Sequence, residues 1–463
     1  LRYVSTRGEA PILGFGEVLL AGLARDGGLY LPQAWPRLAP ATWAGLAGQD
    51  YQAVALTIMT PYLGGGVDEA AMCAVLAEAY RGFRHKAVVP LTEISRNIWL
   101  LELFHGPTFA FKDLALQVLG RLMERALAVQ GGRLTLIGAT SGDTGSAALE
   151  AFKGRAGIDI FILHPKGRVS EIQRRQMTTV DAPNVHNIAL EGTFDDCQAL
   201  VKALFNDLPF RDQMCLAGVN SINWARVLAQ IPYYAAAATA LGNRPVSFAV
   251  PTGNFGDILA GYAAKRMGLA VDRLVIATNE NDILTRCLAT GRYARGAVTA
   301  TQSPSMDIQV SSNFERLLFD LHDRDAKTLR ALMGGLEQSG AFSLSDEPLA
   351  RLRAEFDAFR VDETETTETI ARIHAESGLV IDPHTAVGIA AGAKLKRDPA
   401  TPLICLATAH PAKFPDAVKR AIGHAPVLPE ALAVLDGKPE RMSVLPNDLA
   451  RVKQFIAERG SSV

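Results

Sequence analysis

Val246-Ser-Phe-Ala-Val250 followed by Pro251-Thr-Gly-Asn-Phe-Gly-Asp-Ile-Leu-Ala-Gly261 reads as a short apolar strand, a glycine-bearing turn and the start of a helix. Such a turn presents backbone N–H groups and a helix N-terminus, which together suit a phosphate. A second stretch upstream gives that cradle a chemical context. In His105-Gly-Pro-Thr-Phe-Ala-Phe-Lys-Asp113, Phe109, Ala110 and Phe111 give Lys112 an apolar approach. A lysine amine is a poor nucleophile while protonated. Desolvation or neighbouring positive charge lowers its pKa and frees the lone pair for Schiff-base chemistry. An aldehyde-reactive lysine plus a phosphate cradle points to pyridoxal phosphate (PLP), which needs a lysine, a phosphate site and a partner for its pyridine nitrogen. Taken alone, each stretch has a plainer reading, a solvated charge and an ordinary turn.

Outward from these two stretches the chain repeats strand, turn and helix. Strands are expected at 98–104, 134–137, 159–163, 185–190, 246–250, 274–277 and 403–407. Helices are expected at 113–130, 146–152, 171–179, 194–205, 257–267 and 385–396, with Thr193 as a possible N-cap. Short apolar strands alternating with helices imply an α/β fold of parallel sheets with helices on both faces. Residues 1–95 differ. They carry helical apolar spacing, as in Glu17-Val-Leu-Leu-Ala-Gly-Leu-Ala24, and are read as a mostly helical N-terminal region. The catalytic core is expected over 96–425, with a charged helical insertion near 320–376, and a helical C-terminal segment over 426–463.

The 463 residues carry a formal net charge of −1 and are 48% hydrophobic, enough for a large core in more than one domain. That charge balance gives no reason to invoke nucleic acid or an anionic membrane. Five scattered cysteines with no C-x-x-C pair indicate neither a disulfide framework nor a metal site, and fit a reducing compartment. No apolar run reaches membrane-spanning length. The default reading is a cytoplasmic protein.

Further loops carry polar chemistry. Gly138-Ala-Thr-Ser-Gly-Asp-Thr-Gly-Ser146 lies at a strand-to-helix junction and can wrap an anion such as a substrate carboxylate. Its glycine spacing does not match the dinucleotide fingerprint. Asn220-Ser-Ile-Asn-Trp-Ala-Arg226 groups two amides, a hydroxyl and an arginine that can hold a phosphate through two parallel hydrogen bonds. Read alone it is more simply a capping and surface-pairing segment. Ser303-Pro-Ser-Met-Asp-Ile-Gln-Val-Ser-Ser-Asn-Phe-Glu-Arg316 has no function on physical grounds beyond a capped helix start at Ser312 or Asn313. In Ala407-Thr-Ala-His-Pro-Ala-Lys-Phe414, Thr408 ends a buried-looking strand and can meet a ring nitrogen.

These motifs, with Tyr3-Val-Ser-Thr-Arg-Gly8, Ser141-Gly-Asp-Thr-Gly145 and Ser312-Asn-Phe-Glu315, together resemble threonine synthase of the longer bacterial and fungal branch. The match covers nearly the whole chain, in the same order. The resemblance implies a PLP-dependent lyase of the tryptophan-synthase-β-like fold (fold type II), with two parallel-sheet lobes. It implies that Lys112 bears the cofactor and that Gly253, Asn254, Phe255, Gly256 and Asp257 hold its phosphate. Thr408 then meets the pyridine nitrogen, and being neutral it stabilises a pyridinium less than a carboxylate would. Ser141, Gly142 and Thr144 grip the substrate carboxylate. Asp143 stands where many relatives of the wider fold place Asn beside the ring hydroxyl, which leaves its hydrogen-bonding role and protonation open. Asn220, Ser221 and Arg226, and less firmly Asn223, bind the substrate phosphate. The implied reaction turns O-phospho-L-homoserine and water into L-threonine and phosphate, the last step of threonine biosynthesis, in a monomer or homodimer. Two rivals stay open: a PLP lyase such as a serine/threonine dehydratase, and a phosphometabolite-binding protein without catalysis.

Overall fold

A computed structural model describes residues 1–460. Two parallel sheets dominate it. The larger has six strands in the order Phe356–Arg360, Val271–Thr278, Val246–Pro251, Leu403–Ala407, Ile98–Glu102 and Leu91–Ser95. Its pairings are parallel apart from the last, which is antiparallel. The smaller has five strands, all parallel, in the order Ser443–Pro446, Val185–Glu191, Ile158–Pro165, Leu134–Ala139 and Leu216–Gly218.

The central strands are apolar on both faces because both faces are covered. Phe248, Val250, Leu274, Ile276, Ile404 and Leu406 point into one core with the helix Gly256–Arg266. The alternate residues Ala249, Val275, Ala277, Leu403 and Cys405 point into another with the helix Pro383–Ala393. The smaller sheet divides likewise. Leu136, Ile160 and Ile162 face the main core, while Ile137, Phe161 and Leu163 face the helices Phe194–Asn206 and Leu449–Arg459. The helix Lys112–Gln130 is buried along most of its length and joins the lobes.

Three stretches expected to be helical contribute strands. Leu91–Ser95 closes one edge of the larger sheet, Phe356–Arg360 the other, and Ser443–Pro446 closes an edge of the smaller sheet. Each is short, and edge strands solvated on one side lack the apolar run that marks a central strand. The N-terminal region also opens with a strand pair, Tyr3–Ser5 on Tyr30–Pro32, before its helices. That pair is tied to the helix Phe314–Leu321. The Thr6 hydroxyl donates to Glu315 Oε1 at 2.6 Å, and Arg316 Nε donates to the Tyr30 carbonyl at 2.8 Å. No helix among the described residues is long and apolar enough to cross a membrane.

Candidate active site

Lys112 is the first residue of its helix and is 8% exposed. The preceding turn is fixed by Asp113, whose carboxylate accepts from the Thr108 N–H at 2.8 Å and the Thr108 hydroxyl at 2.7 Å. Phe109 adopts φ +61°, an uncommon conformation for a bulky residue. Phe111 N–H donates to the Thr408 carbonyl at 2.8 Å, and His410 N–H to the Phe109 carbonyl at 3.1 Å. This antiparallel stitch sets Thr408, itself buried, beside the lysine turn. Burial lowers the Lys112 pKa. Asp143 pulls it back up, and the charges of Lys413 and Arg226 press it down again.

The loop after the strand Leu134–Ala139 is pinned by the Thr140 hydroxyl, which accepts from the N–H groups of Gly142 (3.0 Å) and Gly145 (2.9 Å). Gly142 has φ +146°, and a Cβ there would lie 2.4 Å from the Gln173 side chain. Only glycine fits. The turn delivers Asp143 to the start of a helix and leaves Ser141 and Thr144 partly exposed at the same opening. Asp143 Oδ1 lies 2.6 Å from Lys413 Nζ and accepts from Gln173 Nε2 at 2.8 Å, while Oδ2 lies 3.5 Å from Lys112 Nζ. Burial alone would raise its pKa. Lys413 and then Lys112 outweigh that and hold it well below the usual carboxylate range. The two lysines thus favour the ionised form of Asp143.

The Thr252-to-Phe255 turn ends at Phe255, whose φ of +63° caps the helix Gly256–Arg266. The first N–H groups of a helix have no intrahelical acceptor. Two of the turn's carbonyls are engaged: Gly253 accepts from the Ser311 hydroxyl at 2.6 Å, and Asn254 from Asn313 N–H and Nδ2, each at 3.0 Å. Asn313 Nδ2 also reaches the Ser221 carbonyl at 3.1 Å, which brings the 220–226 segment alongside. Asn313 is thus the N-cap residue of its helix, yet its side chain braces the two loops instead of capping. The Ser303-to-Ile308 stretch finds its role here too. A Cβ on Gly253 would lie 2.9 Å from the Ser305 carbonyl, so this stretch closes one wall of the turn.

Asp257, in the first turn of that helix, accepts from Tyr233 (2.6 Å) and Tyr234 (2.7 Å) through Oδ1; its Oδ2 is buried without a partner. Burial pushes its carboxyl up to about 6 against the pull of the two tyrosines. Arg226 is 4% exposed and its Nη1 is buried and unpartnered. Burial pushes the guanidinium down to about 10. Asn220 is exposed, and its Oδ1 accepts from Ile222 N–H at 3.2 Å. Asn223 is otherwise occupied: Oδ1 caps its helix through Ala225 N–H (2.9 Å) and Nδ2 donates to the Leu19 carbonyl (2.9 Å).

Sequence reasoning missed Lys413, Gln173 and the tyrosine pair. Lys413 sat in a stretch singled out for Thr408, and its position next to a buried strand was a usable signal. Gln173 lies on a helix whose polar residues read as surface, and the tyrosines lie in an apolar stretch where they read as core.

The geometry is therefore a buried amine beside the Asp143 loop, with the glycine turn at a helix N-terminus and a buried guanidinium that has an unpartnered Nη1. Known proteins resemble the chain along its whole length. Residues 2–80 match the family model described as threonine synthase N terminus, 83–332 pyridoxal-phosphate dependent enzyme, and 385–456 threonine synthase, C-terminal. Threonine synthase from Pseudomonas aeruginosa is 52% identical, over 100% of this chain and 99% of the relative. The crystal structure of PLP-bound threonine synthase from Brucella melitensis superposes with TM-score 0.97 at 54% identity, covering 100% of both chains. Threonine synthase from yeast gives 0.94 at 40% identity, covering 99% of this chain and 98% of that one. The chain belongs to the threonine synthase family of pyridoxal-phosphate-dependent enzymes.

Proposed function

We propose that this site converts O-phospho-L-homoserine and water into L-threonine and phosphate, with Lys112 as the amine that holds the cofactor. The observation that carries the reading is the buried, unpartnered Nη1 of Arg226. It lies near the Lys112 amine but outside the Thr252-to-Phe255 turn. The site therefore has two places for an anion, one for the cofactor's phosphate and one for the substrate's. A dehydratase acting on a simple hydroxy amino acid has no use for the second.

The residues present fit pyridoxal phosphate. A desolvated amine meets its aldehyde, and the glycine turn with its helix N-terminus suits its phosphate. Gly253 supports this fit because a Cβ would collide with the Ser305 carbonyl that walls the turn. Gly253, Asn254, Phe255, Gly256 and Asp257 would hold the phosphate, and Thr408 would face the ring nitrogen. Bound there, the cofactor supplies an electron sink for charge developing beside the substrate's amino group.

In this reading the chain's own groups do the rest. The Lys112 amine holds and moves protons at the substrate's Cα and Cβ. Ser141, Gly142 and Thr144 receive the substrate carboxylate, with Asp143 fixed as an anion behind them. Arg226, Asn220 and Ser221 bind the phosphate that leaves from Cγ, and a planar guanidinium suits two of its oxygens. Asn223 shapes that segment as a cap. The site belongs to the two-lobed core of residues 96–425, supported by 1–95 and 426–463, in a cytoplasmic monomer or homodimer.

The test is amino-acid and phosphate analysis after incubating PLP-loaded protein with O-phospho-L-homoserine. Threonine and phosphate formed in equal amounts are expected. Phosphate with 2-oxobutyrate and no threonine would replace this reading with a lyase that does not add water.

A further inference from the structure

Lys413 is the most completely buried cation beside the reaction centre. Its relative exposure is 0%, although it lies in a short 3-10 turn, Pro411–Lys413, between the end of a strand and the next helix. Its Nζ lies 2.6 Å from Asp143 Oδ1 and donates to the Thr108 carbonyl at 2.9 Å. Lys112 reaches the other oxygen of the same carboxylate at the looser distance of 3.5 Å. One carboxylate thus faces two lysines, and the closer one is not the proposed cofactor-bearing amine.

That asymmetry has a chemical consequence. A lone Asp–Lys pair in a buried site favours the charged form of both partners. Such a pairing would hold Lys112 as an ammonium, without a lone pair to attack an aldehyde. With Asp143 already held by Lys413 and by Gln173 Nε2, its remaining attraction for Lys112 is divided. Lys413 also repels a second positive charge directly. We infer that Lys413 is a positioning residue that keeps Lys112 available as a free amine by occupying the Asp143 carboxylate. This inference rests on the reading of Lys112 given above. The charged groups facing Lys112 are Asp143 on its helix, Lys413 on the turn, Arg226 on the segment beside the glycine turn, and Asp257 at the head of the helix Gly256–Arg266. Of these, Lys413 alone is paired tightly to the carboxylate nearest Lys112. Its anchor, the Thr108 carbonyl, is also held by Gln176 Nε2 at 3.0 Å, so the cation has little freedom to move away.

The experiment uses the full-length chain freed of cofactor. Cyanate carbamylates a free amine by forming a new N–C bond. The amine's proton passes to the new urea nitrogen and nothing leaves. The extent at Lys112 is read from its peptide mass across a pH series, with exposed Lys86 as internal reference. Lys413→Met and Lys413→Gln are expected to raise the Lys112 midpoint by about one pH unit or more, and so to cut its modification at neutral pH about tenfold. Lys413→Arg keeps the charge and should return the midpoint to nearly that of the unaltered chain. Gln keeps a neutral hydrogen-bond donor in the pocket, which protects the test against a Met variant that does not fold. Asp143→Asn, which leaves Lys413 facing Lys112 with no carboxylate between them, should lower the midpoint. An unchanged midpoint in the neutral Lys413 variants, or an unchanged or raised one in Asp143→Asn, overturns the inference. A separate control tests the underlying reading: borohydride should fix PLP to the chain at Lys112 and nowhere in a Lys112→Ala chain. Attachment elsewhere in the site would remove Lys112 from its role whatever Lys413 does.

Discussion

Asp143 and Asp257 are both buried aspartates at the head of a helix, on opposite walls of one site, and they behave in opposite ways. Asp143 faces Lys413 and Lys112 and stays ionised far below the usual carboxylate range. Asp257 faces two tyrosine hydroxyls, and its carboxyl is pushed up to about 6. Burial pushes both the same way. What separates them is how closely a cation approaches: Lys413 pairs directly with Asp143, whereas Lys112 acts on Asp257 more weakly than its two neutral hydrogen-bond donors do. Their contributions to pH dependence therefore have opposite signs. Asp143, with a depressed pKa, stabilises the fold above the unfolded-state pKa and loses that contribution as pH falls. Asp257, with a raised pKa, contributes fully below the unfolded-state pKa and loses its contribution as pH rises through about 6.

The largest expected effect removes one of the cations on the Asp143 wall. Lys112→Ala should lower turnover by about 10⁴-fold, the upper end for a positioned acid–base group, and abolish covalent cofactor attachment. Because Lys413 is the nearer partner, Asp143 should stay ionised in that variant, which carboxylate titration by NMR would check. Next comes Asp143→Ala. It strands Lys413 without its partner and should cost about 3–5 kcal/mol in denaturant unfolding. The double variant Asp143→Ala/Lys413→Met should regain most of that loss. If the single variant is as stable as the unaltered chain, the two walls do not differ as described.

Asp257→Asn tests the other wall. It keeps an acceptor for the tyrosines and cannot ionise. Relative to the unaltered cofactor-free chain it should gain stability as pH rises from about 4 to about 7. The limit is about 3 kcal/mol, from a shift of about two units at 1.36 kcal/mol each. A difference that does not vary with pH would mean that Asp257 is not the titrating group. The smallest effect belongs to Arg226→Met. Losing a charge-assisted hydrogen bond costs about 2 kcal/mol, so KM for the phosphorylated substrate should rise about thirtyfold while cofactor attachment is retained. A KM that does not move would detach Arg226 from substrate binding.

Much of this was legible from residues alone. The central strands announced themselves as apolar runs because helices cover both their faces, and the strand Leu403–Ala407 matches the expected range 403–407. The lysine turn was legible because an apolar approach desolvates an amine, and the glycine turn because it joins an apolar strand to a helix start. The edge strands were not, since one-sided burial leaves a weak pattern. Neither was the Asp143–Lys413 pair. Sequence marks both residues as charged, but only the sheet topology joins a loop of the smaller lobe to a turn of the larger one. The ionisation of Asp143 follows from that meeting, so it could not be read earlier than the fold.

The tie between the N-terminal strand pair and the helix Phe314–Leu321 sets a timetable for assembly. The Thr6–Glu315 and Arg316–Tyr30 hydrogen bonds close loops of 309 and 286 residues. Asn313, one residue before that helix, braces the glycine turn and the 220–226 segment. During synthesis Thr6 and Tyr30 must wait for a stretch beyond residue 310 before they meet their partners. Non-local closures of this kind are slow to form. Each nascent chain thus carries its reactive lysine in an unfinished setting, and the brace on the two anion-holding loops is added late.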